Sequence, residues 1–321
     1  MINEREMKHF TSVNDIEDPM ALVKEAIELK KTERISQIGK NKTIGLLFFN
    51  SSLRTRMSTQ KAAQNLGMEV MILNVNNDGW ALEFEEGAEM NGKTVEHIKD
   101  AAAVMGLYCD ILAIRCFPNL ENKEEDYADK IIHQFMQYAK VPVVSLESAT
   151  RHPLQSLADM ITIQEYKTKE KPKVVLTWAP HIKPIPQVVA NSFAEWTLSS
   201  GYDLTITHPE GYELSEEFTK GATIEFNQEK ALQDADFVYV KNWSSYTDYG
   251  KVLPVTENWM LTNEKLKITN SAKVMHCLPV RRNVEVSDEV LDSENSLILQ
   301  QAENRVYAAQ TVLKKIVEFN F

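Results

Sequence analysis

Residues 48–58, FFNSSLRTRMS, place two arginines within three positions and surround them with hydroxyls. The stretch follows an apolar run and precedes a segment of helical spacing, so residues 51–55 are expected to form a turn and a helix start. Unpaired backbone N–H groups and the helix dipole make such an end attractive to an anion. Arg54 and Arg56 add charged donors, and Ser52, Thr55 and Ser58 add neutral ones. An N-capped surface helix with solvated arginines would use the same residues. The crowding of donors at a strand end, in a chain that is acidic overall, favours phosphate. Further along, Arg115 ends the apolar run ILAIR, and His152 and Gln155 open another helical segment. A guanidinium, an imidazole and a carboxamide arriving from separate strand ends can stabilise an oxygen on which negative charge develops.

Such groups need strand ends to hold them. Short apolar runs at 43–49, 70–75, 111–115, 141–146, 174–178, 203–207, 237–240 and 273–275 read as strands. Residues 56–66, 97–108, 126–139 and 155–166 carry helical spacing between them. Near-continuous apolar strands separated by helices are what a parallel sheet covered on both faces requires. The expected fold is α/β, with two doubly wound parallel-sheet domains at 1–150 and 151–303 and a boundary near 147–152. Residues 167–172, KTKEKP, read as a solvated turn opening the second sheet. A last helix, roughly 303–317 within residues 304–321, is expected to return to the first domain.

Composition narrows the classes. At 321 residues the chain outgrows one ordinary core, and 43% hydrophobic with 25% charged residues is a globular mixture. Against 46 Asp+Glu stand 35 Lys+Arg, a net charge of −11, which argues against a broad nucleic-acid or anionic-membrane surface. Three cysteines, Cys109, Cys116 and Cys277, make no disulfide framework and imply a reducing cytoplasm. The opening MINEREMKHF carries Glu4 and Glu6 and no apolar stretch, so it does not read as a signal peptide, and the apolar run 44–49 is too short to cross a membrane. Neither G-x-G-x-x-G after a strand nor G-x-x-x-x-G-K-[ST] occurs, which weakens nucleotide readings. No cofactor and no metal is expected.

The S-x-R-T-R-x-S pattern, followed by His152-Pro153-Leu154-Gln155 and later by His276-Cys277-Leu278-Pro279, resembles the transcarbamylase family, which includes aspartate and ornithine carbamoyltransferases. These ordered motifs span nearly the whole chain. The resemblance implies that Ser52, Leu53, Arg54 and Thr55 bind the phosphate of carbamoyl phosphate. It also implies that Trp80, Arg115, His152, Pro153, Leu154, Gln155, Cys277, Leu278 and Arg305 contact the same substrate. Arg54, Arg115, His152, Gln155 and Cys277 would be the catalytic set. Leu53 departs from the usual Thr, losing one hydroxyl while keeping a backbone N–H. Trp80 stands where the aspartate branch has a lysine loop; in the similar N-acylornithine branch such a tryptophan reaches a neighbouring subunit's site, implying a homotrimer.

The amine is narrowed by Tyr239-Val240-Lys241-Asn242-Trp243. The free-ornithine enzymes carry an aspartate in a D-x-W element followed by S-M-G; here lysine replaces it and no S-M-G follows. A lysine would repel a free α-ammonium, whereas an acylated α-nitrogen is neutral. LESAT, WAPH and HCLPVRRN likewise resemble the N-acylornithine branch, implying that Glu147, His181, Lys241 and Arg281 contact the acylated amino acid. In the loop 87–97, GAEMNGKTVEH, the acetyl branch has Glu and the succinyl branch Pro where this chain has Val95. Valine leaves a succinyl carboxylate unopposed. N-succinylornithine is therefore favoured, followed by N-acetylornithine and then free ornithine. Lys241 argues against ornithine and Trp80 against aspartate. A catalytically silent anion-binding relative is disfavoured by the joint presence of Arg54, Arg56, Arg115, His152, Gln155 and Arg305.

Overall fold

The computed structural model describes residues 7–32 and 34–321. Glu4 and Glu6 lie outside the described residues. The chain divides into two compact units. The first holds residues up to Asn119, Glu124–Leu154 and Arg305–Phe321; the second holds Leu120–Lys123 and Gln155–Asn304.

In the first unit, β1 (Thr43–Phe48), β2 (Glu69–Asn74), β5 (Ile111–Arg115) and β6 (Val143–Glu147) form a parallel sheet in the order β2-β1-β5-β6. Two short strands, β3 (Leu82–Glu83) and β4 (Glu96–His97), pair separately. The second unit builds a parallel sheet from β7 (Lys173–Trp178), β8 (Asp203–Thr207), β9 (Thr223–Glu225), β10 (Phe237–Lys241) and β11 (Lys273–Met275), ordered β11-β10-β7-β8-β9. Every residue of β6 and β10 is buried, as is β1 from Ile44 and β7 from Val174. Such strands must be apolar almost continuously, because both faces meet helices. At its edge, β2 is exposed at alternate positions in its first half.

Strand order also fixes where a ligand fits. From β1 the chain moves to β2 on one side and later returns to β5 on the other, with Phe48 in register with Arg115. In the second sheet β7 and β10 stand in the same relation, with Trp178 in register with Lys241. At these switch points adjacent carboxyl ends open a crevice. The residues with chemistry in the sequence sit at both.

The structure refines several expectations. The segment 126–139 is not one helix: Lys123–Tyr127 and Lys130–Tyr138 are separated at Asp129, whose φ is 46°. The helix around 97–108 runs Ile98–Tyr108, and that at 155–166 begins earlier, at Pro153, whose fixed φ suits a first helical turn. The last helix spans Ile298–Asn320, and its residues from Arg305 belong to the first unit. Gln310 accepts from Asn65 at 2.9 Å, and Lys315 pairs with Glu25 at 2.7 Å. β3, β4 and β9 were too short for an apolar run to reveal.

Gly106 sets how closely Ile98–Tyr108 approaches the next segment. A Cβ there would lie 1.9 Å from the backbone oxygen of Ala139. Replacing a helical glycine with alanine ordinarily stabilises by about 1 kcal/mol. Here the collision reverses the sign, because backbone cannot yield cheaply and overpacking costs about 1–3 kcal/mol. Gly106→Ala should lower unfolding stability by about 1–2 kcal/mol in urea titration; an increase would show that the two segments separate freely.

Candidate active site

The first cluster grows from the ends of β1, β5 and β6. Phe49 N–H donates to Arg115 O at 3.0 Å, and Cys116 N–H to Glu147 O at 2.8 Å, so the three ends are tied together beyond the regular sheet. A register shift after Ile114 sets Arg115 opposite Glu147, the re-aiming that a bulge produces. The Arg115 guanidinium pairs with the Glu147 carboxylate, both side chains being largely buried. Asn50 adds a brace, accepting from Phe117 N–H at 2.7 Å.

Directly after β1, Ser52 Oγ accepts the Thr55 N–H at 3.3 Å and so closes the first turn of the helix Arg54–Asn65. Leu53 occupies the cap position with its side chain 69% exposed, so the missing hydroxyl leaves an apolar group turned to solvent. The two arginines of the motif part company. Arg56 stacks on Phe48 at 4.7 Å and donates to Asn74, binding β1 to β2. Arg54 stays with the anion-attracting end of the helix. From the last helix the buried Arg305 donates to Thr55 Oγ1 at 2.7 Å.

His152 is buried in their midst, and its pKa is held well below the usual imidazole value. Burial is the largest cause, and the charges of Arg305, Arg115 and Arg54 follow in that order. The ring is therefore neutral near physiological pH. Nε2 lies 3.5 Å from Glu147 Oε2, while Nδ1 makes no hydrogen bond among the described residues. A neutral imidazole beside three guanidiniums can donate to a developing oxyanion without giving up its proton. Cations at a helix N-terminus, on the carboxyl ends of parallel strands, suit a phosphorylated substrate.

Trp80 and Val95 are brought together elsewhere in this unit. Val95 N–H donates to Ala81 O at 2.8 Å, and the Trp80 indole donates to Glu96 at 2.7 Å. Both side chains remain open, at 56% and 63% exposure.

Pro153 and Leu154 close the middle segment of the first unit, and the second unit holds Gln155, His181, Lys241, Cys277, Leu278 and Arg281. Gln155 donates to Asp159 Oδ1 at 2.8 Å, and Gln301 reaches the same oxygen at 2.7 Å. Gln301 in turn accepts the His276 N–H at 2.9 Å, which anchors the turn carrying Cys277 and Leu278. Lys241 ends β10 and is buried, with Ala179 N–H donating to its carbonyl at 3.1 Å. Arg281 Nε donates to His181 Nε2 at 3.0 Å, and His181 Nδ1 lies 2.9 Å from Lys183 O and accepts the Lys183 N–H at 3.1 Å.

Glu285 was not anticipated. It accepts the Arg281 N–H at 2.7 Å, approaches His276 Nε2 at 3.5 Å, and is buried. Burial pushes its carboxyl up, but the His276 contact, the Lys241 charge and the Arg281 N–H together hold it below the usual range. The charge of the buried Lys241 acts on it. Nothing in the sequence marked it as buried, whereas the i,i+4 spacing of Gln155 and Asp159 on one helix could have revealed that pair.

Comparison with known proteins matches these two clusters. Residues 8–165 fit the model of the aspartate/ornithine carbamoyltransferase carbamoyl-P binding domain, and residues 186–316 fit the Asp/Orn binding domain of the same family. An N-succinylornithine carbamoyltransferase of Bacteroides thetaiotaomicron is 51% identical over 315 residues, covering 97% of this chain and 99% of that protein. An N-acetylornithine carbamoyltransferase of Xanthomonas campestris is 33% identical, covering 97% and 98%. A crystal structure of a glutamate-to-valine mutant of N-acetyl-L-ornithine transcarbamylase, complexed with carbamyl phosphate and N-succinyl-L-norvaline, superposes with a TM-score of 0.91 at 33% identity, covering 96% and 99%. The chain belongs to the aspartate/ornithine carbamoyltransferase family. Within it the chain falls in the N-acylornithine branch and is a carbamoyl-transfer enzyme.

Two substitutions separate anchoring from polarisation. If Arg54 holds the phosphate of a substrate, Arg54→Ala removes a charged contact whose loss costs about 2–5 kcal/mol. Carbamoyl phosphate binding by calorimetry should weaken accordingly, and turnover should collapse; unchanged kinetics would remove Arg54 from the site. His152→Ala should instead lower kcat much more than it raises KM, since its partner gains charge mainly in the transition state. A pure binding defect would contradict that role.

Proposed function

We propose that the chain transfers the carbamoyl group of carbamoyl phosphate to the δ-amine of N-succinyl-L-ornithine, yielding N-succinyl-L-citrulline and phosphate in arginine biosynthesis. The observation that carries this reading is the 51% identity, over almost the full length, to an N-succinylornithine carbamoyltransferase, against 33% to an N-acetylornithine enzyme. The δ-nitrogen attacks the carbonyl carbon, a C–N bond forms, the bond from carbon to the phosphate oxygen breaks, and the amine loses a proton. In the first unit, Ser52, the Leu53 N–H, Arg54 and Thr55 hold the phosphate, while Arg115, His152 and Arg305 stabilise the carbonyl oxygen. In the second, Lys241, Arg281 and His181 serve carboxylate recognition. Burial of Lys241 supports the acylated substrate, because a free α-ammonium would meet that charge at low dielectric.

The assembly in this reading is a cytoplasmic homotrimer in which Trp80 and Val95 serve a neighbouring subunit's site. Their exposure is compatible with that role, and no described helix is long and apolar enough to cross a membrane. A glutamate-to-valine mutant of the related N-acetyl-L-ornithine transcarbamylase is complexed with N-succinyl-L-norvaline, which supports the reading that a charge-free residue such as Val95 accommodates a succinyl group.

A citrulline-type colorimetric assay with carbamoyl phosphate and ornithine, N-acetylornithine or N-succinylornithine tests the substrate directly. The highest kcat/KM is expected for the succinyl compound; a higher value with either other amine would overturn the assignment. Val95→Glu should then shift preference toward N-acetylornithine. One like-charge contact at partial burial is worth about 1–4 kcal/mol, hence roughly tenfold to several-hundredfold in relative kcat/KM. An unchanged ratio would mean that Val95 does not face the acyl group.

A further inference from the structure

Glu147 and His152 are separated by four residues, and the whole intervening turn hangs on one buried carboxylate from a different segment. Asp129 is 8% exposed and sits between two helices in a left-handed conformation that aspartate tolerates better than most residues. It stands at the cap position of Lys130–Tyr138 without capping that helix. Its side chain turns away instead. Oδ1 accepts the Ala149 N–H at 2.8 Å, while Oδ2 accepts the Ser148 hydroxyl at 3.0 Å and the Thr150 hydroxyl. Ser148 Oγ is also an acceptor for Thr150 N–H at 3.3 Å and Arg151 N–H at 3.1 Å, and Ser148 N–H donates to Arg151 O at 2.8 Å. With Ser148 and Thr150 both buried, the path from Glu147 to His152 has little room to vary.

We propose that Asp129 is a positioning residue for carbamoyl transfer. Through Ser148, Ala149 and Thr150 it sets the separation and orientation of the Glu147 carboxylate and the His152 ring. Its energetics agree with a positional use. Burial pushes its carboxyl above the usual range despite the donors around it. A carboxyl raised on folding is charged at a cost at neutral pH, so the fold does not gain stability from ionising it. The proposal rests on the assignment of His152 to the reacting carbonyl.

Asp129→Asn tests it, because asparagine adopts the same left-handed backbone and removes the charge and one acceptor. The expected result is a ten- to hundredfold fall in kcat, with KM for carbamoyl phosphate changed less than threefold and a melting temperature within a few degrees of wild type. Thr150→Ala should lower kcat in the same sense, and Thr150→Ser should restore it. Gly106→Ala is the control, losing stability while keeping kcat. Amide exchange across residues 147–152 gives a readout independent of turnover and should quicken in Asp129→Asn. Unchanged kcat in Asp129→Asn, unchanged exchange there, or a kcat loss equalled by Gly106→Ala overturns the proposal. An inactive wild type in which exchange still responds to Asp129→Asn would instead locate the failure in the assigned reaction.

Discussion

Arg54, Arg115 and Arg305 act on one buried imidazole, and guanidiniums held that close repel one another. Glu147 answers one of them by pairing with Arg115. On the proposed reading, a phosphate dianion meets the cations gathered at this edge. The rest of the first unit can be understood from this constraint. Parallel strands bring β1, β5 and β6 to one edge, the helix Arg54–Asn65 starts there, and the last helix returns Arg305 to Thr55. Burial, with these cations second, keeps His152 neutral, so the imidazole can act as a donor without adding a fourth charge.

The second unit solves the reverse problem. One cation, Lys241, is buried at the end of β10. Its charge acts on Glu285, which is held in place by the Arg281 N–H and His276. That carboxylate joins Arg281 to His276 in the turn after β11. Asp159 performs a comparable service for neutral groups, joining Gln155 to Gln301 and thereby to the His276 backbone.

The sheet cores were legible because strands buried on both faces must be apolar throughout, and 43–49, 111–115 and 174–178 match β1, β5 and β7 closely. Arg54, Thr55, Arg115, His152 and Arg305 do converge in the structure. What escaped was set by tertiary context. Asp129 lies inside a stretch of helical spacing, and only its contacts with the 148–150 turn make its left-handed break worthwhile. Glu285 looks like any surface glutamate until Lys241 and His276 close over it. Arg56 looked equivalent to Arg54, but the ring of Phe48 and the end of β2 claim it for structure.

On the proposed reading, the same electrostatics explain why the substrate carries an acyl group. A free amino acid presents an ammonium and a carboxylate on one carbon, and a site that is cationic through Lys241 and Arg281 favours only one of them. Acylation removes the ammonium and leaves the carboxylate, so both substrate and site gain. A succinyl group adds a second carboxylate at the far end of the acyl chain. That charge is tolerated only where no carboxylate faces it, because specificity here is a difference between opposed and unopposed anions rather than a matter of size. Loop residues that carry no charge, as Val95 does, thus need supply no contact to set the preference; it is enough that they withhold the repulsion a glutamate would impose.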